Sequence, residues 1–277
     1  MNNAGEISNK INGIEINNTK DTYKIIPPFY KGKERLKGKT ALITGGDNGM
    51  GRSIALHFAR EGADIAIIYS EIGVEAIETK RLIEKEKSKC LLIEGDYSCP
   101  DFCYSLKKKF LKNFPKINIL VNNTAIRMSK KSNAKTSIEN FKNTCEIYPY
   151  LNITKALLEI LDEGDCIINT TAITAYRNQE FTVDYSNNKC GILNFTQSLA
   201  KVLQTRKIRV NCVSSFSFWK PQSSSPFELS TLSKDIAPDR VASPSEIAPA
   251  FIYLASEESN LLTGHIIPVI GEHIICA

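Results

Sequence analysis

Histidine and tryptophan are scarce in this chain, with three and one (Trp219) among 277 residues. The eight cysteines (Cys90, Cys99, Cys103, Cys145, Cys166, Cys190, Cys212 and Cys276) form no C-x-x-C pair, and no histidine stands at ligand spacing from them. That pattern excludes the usual thiolate and imidazole metal sites. Free thiols in a reducing compartment fit best, so a cytoplasmic protein is expected. No apolar run approaches the length of a bilayer span, and the opening "MNNAGEISNKINGIEINNTK" lacks the apolar core of a secretion signal, so no membrane partner is expected. Charge of one sign is not concentrated either, the formal net value being +5. The one dense basic run, Lys107 to Lys109 with Lys112, has helical spacing and no aromatic platform. It reads as a solvated helix face, and no nucleic-acid partner is expected. Also missing are the G-x-S-x-G elbow of hydrolases and the G-x-x-x-x-G-K-[ST] loop of nucleoside triphosphatases.

What is present is a core. With 42% hydrophobic and 23% charged residues, the chain has the size and composition of one α/β domain. Residues 1–38 are rich in Asn, Lys and Ile, include Pro27-Pro28 and lack sustained periodicity; they are expected to form an arm, with the domain at 39–277. From there, short β-rich runs ("TALIT", "DIAIIY", "CLLIEG", "INILVNN", "DCIINTT", "IRVNCVSS", "HIIPVI") alternate with helical patterns such as "GRSIALHFAREG", "SEIAPAFIYLASEES" and the stretch from Tyr185 to about Thr205. This alternation predicts a doubly wound parallel sheet of about seven strands with helices on both faces, a Rossmann-type architecture. Residues 214–243, rich in Ser, Pro and Phe, are too long for a simple connector and read as a lid over a ligand.

"ALITGGDNGMGRSIA" sets Thr44, Gly45, Gly49 and Gly51 between the first strand and the first helix. Glycines there permit a tight turn, let backbone approach a pyrophosphate, and bring a helix N-terminus to face the anion. A dinucleotide is the expected ligand. The second strand ends in Tyr69 and Ser70, neither the acid that would bind an adenine ribose nor the arginine that would hold a 2′-phosphate, with Glu71 a possible substitute. NAD and NADP both remain open. Asp96, after the third strand, is a candidate contact to the adenine or a turn cap.

With T-G-x-x-x-G-x-G at Thr44 to Gly51, "GD" at Gly95-Asp96, "NN" at Asn122-Asn123 and Y-x-x-x-K at Tyr185 to Lys189, residues 36–277 resemble the short-chain dehydrogenase/reductase family. The lead-in "PPFYKGKERLKGKTALITGGD" is similar to a subgroup with an extended N-terminal arm, described as glucose or general stress dehydrogenases. The resemblance implies an NAD(P)-dependent oxidoreductase acting on a small-molecule alcohol or carbonyl. It assigns catalysis to Tyr185, as general acid/base, and to Lys189, which lowers the tyrosine's pKa and binds the nicotinamide ribose. Cofactor contacts fall on Thr44, Gly45, Asn48, Gly49, Met50, Gly51, Asp96, Asn122 and Lys189. It also implies a homotetramer or homodimer built through the helices of residues 141–160 and 185–205.

Other positions depart from that pattern. Where the family has the serine that polarises the carbonyl, this chain has Ala172, and where it has the relay asparagine, counting back from "TK" gives Glu146. "NNAG" is "NNTA", ending in Ala125; the Pro-Gly after "IRVNCV" is Ser215-Phe216, and Lys220 replaces the carboxamide-binding threonine. Thr170, two residues before Ala172 on the same strand face, and Thr174 carry hydroxyls that offer partial replacement. Three readings follow: a retuned oxidoreductase, a non-catalytic nucleotide-binding or scaffold relative, and an enzyme of the same fold using Glu146 as a base for dehydration or isomerisation.

Overall fold

The structure is a computed structural model that describes residues 10–11, 14–15, 25–70, 73–97, 99–124, 147–172, 175, 183–215 and 242–269, with the side chains of 10–11, 14–15 and 183–185 excepted. Two short strands, β1 (Lys10–Ile11) and β2 (Ile14–Glu15), pair antiparallel. The sequence reading had no strand there. The strands β3 (Thr40–Thr44), β4 (Asp64–Tyr69), β5 (Cys90–Glu94), β6 (Ile119–Asn122), β7 (Cys166–Ala172), β8 (Arg209–Ser215) and β9 (Ile266–Val269) form one sheet in the order β5-β4-β3-β6-β7-β8-β9. Every pairing in it is parallel.

Among the described residues six helices cover the sheet: α1 (Gly49–Arg60), α2 (Val74–Lys85), α3 (Pro100–Leu111), α4 (Ile147–Leu157), α5 (Val183–Leu203) and α6 (Pro244–Ala255). Because strand side chains alternate, neighbouring residues feed opposite layers. Ile43, Ile65, Ile67 and Ile168 pack with Ile54 and Phe58 of α1 and with Phe251 and Ile252 of α6. Leu42, Ala66, Ile68 and Ile167 pack with Leu106 and Phe110 of α3, with Ile153 and Leu157 of α4, and with Ala200 and Leu203 of α5. Burial on both faces is why these strands read as unbroken apolar runs. Pro268 sits in β9, at the sheet edge, where a missing N–H is tolerated.

The chain runs from β3 outward to β5, then returns to place β6 on the other side of β3. That reversal is the topological switch point, and a crevice opens beyond the strand ends there. β6 and β7 are paired only as far as Asn122 and Asn169. Just past this point the Tyr150 hydroxyl, reaching from α4, lies 3.2 Å from the Thr124 carbonyl oxygen and 3.1 Å from that of Thr170 and donates across the fork.

Within the expected arm, residues 25–38 lie against the chain's own α1. Ser53 donates to the Ile25 carbonyl at 2.7 Å, and Arg60 donates to the carbonyls of Pro27 and Tyr30. The Tyr30 ring tilts against His57 with centroids 5.0 Å apart. At the end of α1 the fully buried Glu61 carboxylate accepts from the Tyr30 hydroxyl, the Lys33 and Arg35 backbone N–H groups at 2.9 and 3.1 Å, and the Arg35 guanidinium at 2.7 Å. Burial alone would raise its pKa, but these donors, Arg35 foremost, hold it down at about 2. Burial and the same carboxylate push Tyr30 up to about 12.

Candidate active site

The glycine loop leaves β3 at Thr44, whose buried hydroxyl accepts from the backbone N–H of Asn123 at 2.9 Å and of Thr124 at 3.2 Å. Gly45 donates to the Ile68 carbonyl at 2.8 Å, joining the loop to β4. Gly45 and Gly49 have φ of +60° and +51°, a backbone region that side chains strain to enter. Gly51 is small for a different reason: a Cβ there would overlap the Gly45 carbonyl and stand 2.7 Å from Asn123 Nδ2.

These constraints aim the N-terminus of α1 into the crevice. Its cap residue, Asn48, makes no side-chain cap bond, donating instead to Asp47 at 3.1 Å, and no acidic residue stands in the first turn. The positive end of the helix is thus left for an anion. Met50 is buried behind it. Asn123 Nδ2 donates to the Thr44 and Gly45 carbonyls at 3.3 and 3.2 Å, while its Oδ1 is buried without a partner and offers an acceptor to a hydroxyl. Uncapped helix, tight glycines and orphaned amide oxygen fit a dinucleotide, which would be held by Gly45, Asn48, Gly49, Met50, Gly51 and Asn123.

Of the Asn122-Asn123 pair, the resemblance gave a cofactor contact to Asn122 alone. The Asn122 side chain donates to Thr154 of α4 at 3.2 Å and to Asn169 of β7 at 2.9 Å. Asn169 in turn donates to Thr196 of α5 at 2.9 Å. Neighbouring residues at the end of a strand point to opposite sides, which is the signal that separates their contacts. Asp96 follows β5, and its carbonyl accepts from the Cys99 N–H at 3.0 Å, closing the turn that leads into α3.

Lys189 and Tyr185 lie one turn apart on α5. Lys189 is buried, and its carbonyl accepts from the Thr171 hydroxyl at 2.9 Å, fixing α5 against the end of β7. Near this lysine sits Cys212, whose thiol burial pushes up to about 12. Ala172 is half-buried at the last position of β7, in register with Ser215. Thr170 is buried, and its hydroxyl has no partner. Ser243 and Glu246 form a reciprocal capping box that starts α6 where the lid-like stretch ends. The Tyr185 side chain, Glu71, Ala125, Glu146, Thr174, Lys220, Trp219 and residues 216–241, Phe216 included, lie outside the described residues.

No described group of His, Cys, Asp and Glu has the arrangement of a metal site, and no helix among the described residues is long and apolar enough to cross a membrane. The family model for enoyl-(acyl carrier protein) reductases matches residues 45–271. The uncharacterized oxidoreductase YhxC of Bacillus subtilis is 40% identical over 256 residues, 90% of each chain. General stress protein 39 of the same organism is 38% identical over 89% of this chain and 88% of its own. Among solved structures, a short-chain dehydrogenase from Burkholderia cenocepacia in complex with NADP superposes with a TM-score of 0.79 at 25% identity, covering 86% of this chain and 98% of that one. A glycine loop facing a switch-point crevice, with relatives of this extent along nearly its whole length, makes the chain a member of the short-chain dehydrogenase/reductase family of oxidoreductases.

Proposed function

We propose that the protein transfers hydride between a nicotinamide dinucleotide and a small alcohol or carbonyl compound, with Tyr185 and Lys189 as its catalytic residues. The observation that carries this reading is the buried Lys189 one helical turn from Tyr185, on a helix tied to the β7 end beside the crevice. The dinucleotide, when bound, supplies or accepts the hydride. Tyr185 gives its phenolic proton to the carbonyl oxygen in reduction and recovers it in oxidation. The ammonium of Lys189 favours the phenolate and so sets the pH at which that proton moves. Asn123 and the α1 N-terminus hold the sugar and pyrophosphate in place.

Ala172 donates nothing to the substrate oxygen. Losing one such donor costs about 10²–10³ in rate, so a slow enzyme with a demanding substrate is favoured. The same alanine supports a second reading, a nucleotide-binding relative that has lost turnover. Replacement of Tyr185 by Phe separates the two. Turnover that disappears in Tyr185→Phe while dinucleotide affinity persists supports the first reading; turnover that survives overturns it and favours Glu146 chemistry.

The protein is proposed to work in the cytoplasm as a homotetramer or homodimer. Tyr148 and Leu151 of α4 and Val202 of α5 are apolar side chains exposed on the helices assigned to that contact, and burying them is the motive for association. Residues 39–277 are the proposed catalytic domain, with 214–243 closing over the substrate.

A further inference from the structure

We infer that the dinucleotide site selects NAD(H) over NADP(H), an inference that rests on the function proposed above. The two cofactors differ by a 2′-phosphate on the adenine ribose, which in a doubly wound sheet lies at the end of the second strand beyond the glycine loop. Binding that phosphate takes a cation with N–H groups to spare; binding the bare ribose hydroxyl takes an acceptor.

At this corner the structure supplies acceptors. β4 ends at Tyr69, whose ring packs beside Gly73, the residue before α2, and whose register partner on β5 is Glu94. Burial first, then the negative charges of Glu94 and of Asp47 in the glycine loop, push the Tyr69 phenol upward. Glu75 opens α2.

The cation whose contacts with this loop are described is Arg52, and its hydrogen bonds are already committed. Nε donates to the Asp47 carbonyl at 3.0 Å and to Thr79 at 2.7 Å, while Nη2 donates to the Glu75 carbonyl at 3.1 Å and pairs with the Glu75 carboxylate. The Arg52 side chain is 13% exposed. Turning it toward a phosphate would break the bridge that holds α2 to the loop and leave Glu75 without its ion pair. With its guanidinium held by Glu75, Arg52 has little to offer a phosphate, and the Glu94 and Asp47 carboxylates near Tyr69 disfavour two added negative charges and suit a hydroxyl donor.

Calorimetric titration of the full chain with NADH and with NADPH, at low and at physiological salt, tests this. NADH is expected to bind at least tenfold more tightly. Ser70→Arg, an exposed change that places a cation at the end of β4, is expected to tighten NADPH several-fold and leave NADH within twofold; Glu75→Gln, which frees Arg52, is expected to act in the same direction. NADPH affinity equal to or above that of NADH overturns the inference and leaves the proposed function standing, as does a preference that Ser70→Arg fails to narrow. Binding of neither nucleotide removes the proposed function itself.

Discussion

The hydroxyl of Thr171 donates to the carbonyl of Lys189 at 2.9 Å, so the end of a strand and the second turn of the helix that carries a residue 18 positions later are held as one unit. Beside it, Tyr150 bridges the carbonyls of Thr124 and Thr170 across the fork between β6 and β7. Together these side chains give the crevice floor a fixed shape before any ligand arrives, the preorganisation that a hydride-transfer site requires.

Removing the Tyr150 hydroxyl leaves two buried carbonyls short of a donor. Tyr150→Phe is expected to lower stability by about 1–3 kcal/mol, read from urea unfolding. Because the fork lies under the crevice, kcat should fall more than KM rises. A variant as stable as the parent would show that the bridge contributes little.

Glycine 51 has no room for a side chain. Gly51→Val forces α1 away from the Gly45 carbonyl and Asn123, with a stability loss of about 1–3 kcal/mol. NADH affinity is expected to fall beyond calorimetric detection while circular dichroism retains the helical signal. Retained binding would place the dinucleotide elsewhere.

Stability should depend on pH through Glu61. Its folded pKa, about 2, is below the ordinary 4.5, so its contribution is complete above roughly pH 5 and fades as acid is added toward pH 2. The loss is on the order of 3 kcal/mol. Glu61→Gln should be less stable at neutral pH and should show a flatter acid limb in thermal melts; a variant with the parent's acid profile would assign that limb to other carboxylates.

Restoring the missing donor is the sharpest test of catalysis. Ala172→Ser is expected to raise turnover of simple carbonyls by up to about 10²–10³, and adding Glu146→Asn and Phe216→Gly should act non-additively if the three positions form one catalytic unit. Steady-state rates with NADH report it. Three revertants without measurable turnover would favour the nucleotide-binding reading.

Much of this was readable from residues alone. The seven strands of the sheet match the apolar runs to within a residue or two, because burial on both faces leaves an unbroken signature. The Thr44–Gly51 loop was equally legible, since its glycines answer to local backbone demands. What escaped was tertiary. The bonds of Asn123 to the glycine loop needed the face that its side chain presents, and the Tyr150 bridge joins three segments with no shared motif. The commitment of Arg52 to Glu75 depends on how α1 meets α2, and the anchoring of residues 25–38 on α1 depends on Glu61, 26 positions beyond Arg35.

That anchoring redraws where the protein can be cut. A fragment beginning after residue 38 would keep every motif of the family yet strip Glu61 of Tyr30, Lys33 and Arg35 and remove Ile25, Ile26, Tyr30 and Leu36 from the apolar cluster they share with α1. Apolar surface laid open to water and a lost set of charge-assisted hydrogen bonds both weaken the fold. The helix that presents the glycine loop is therefore not a self-sufficient module. For anyone shortening, tagging or grafting this protein, the safe boundary lies upstream of Ile25, not at the first strand of the sheet.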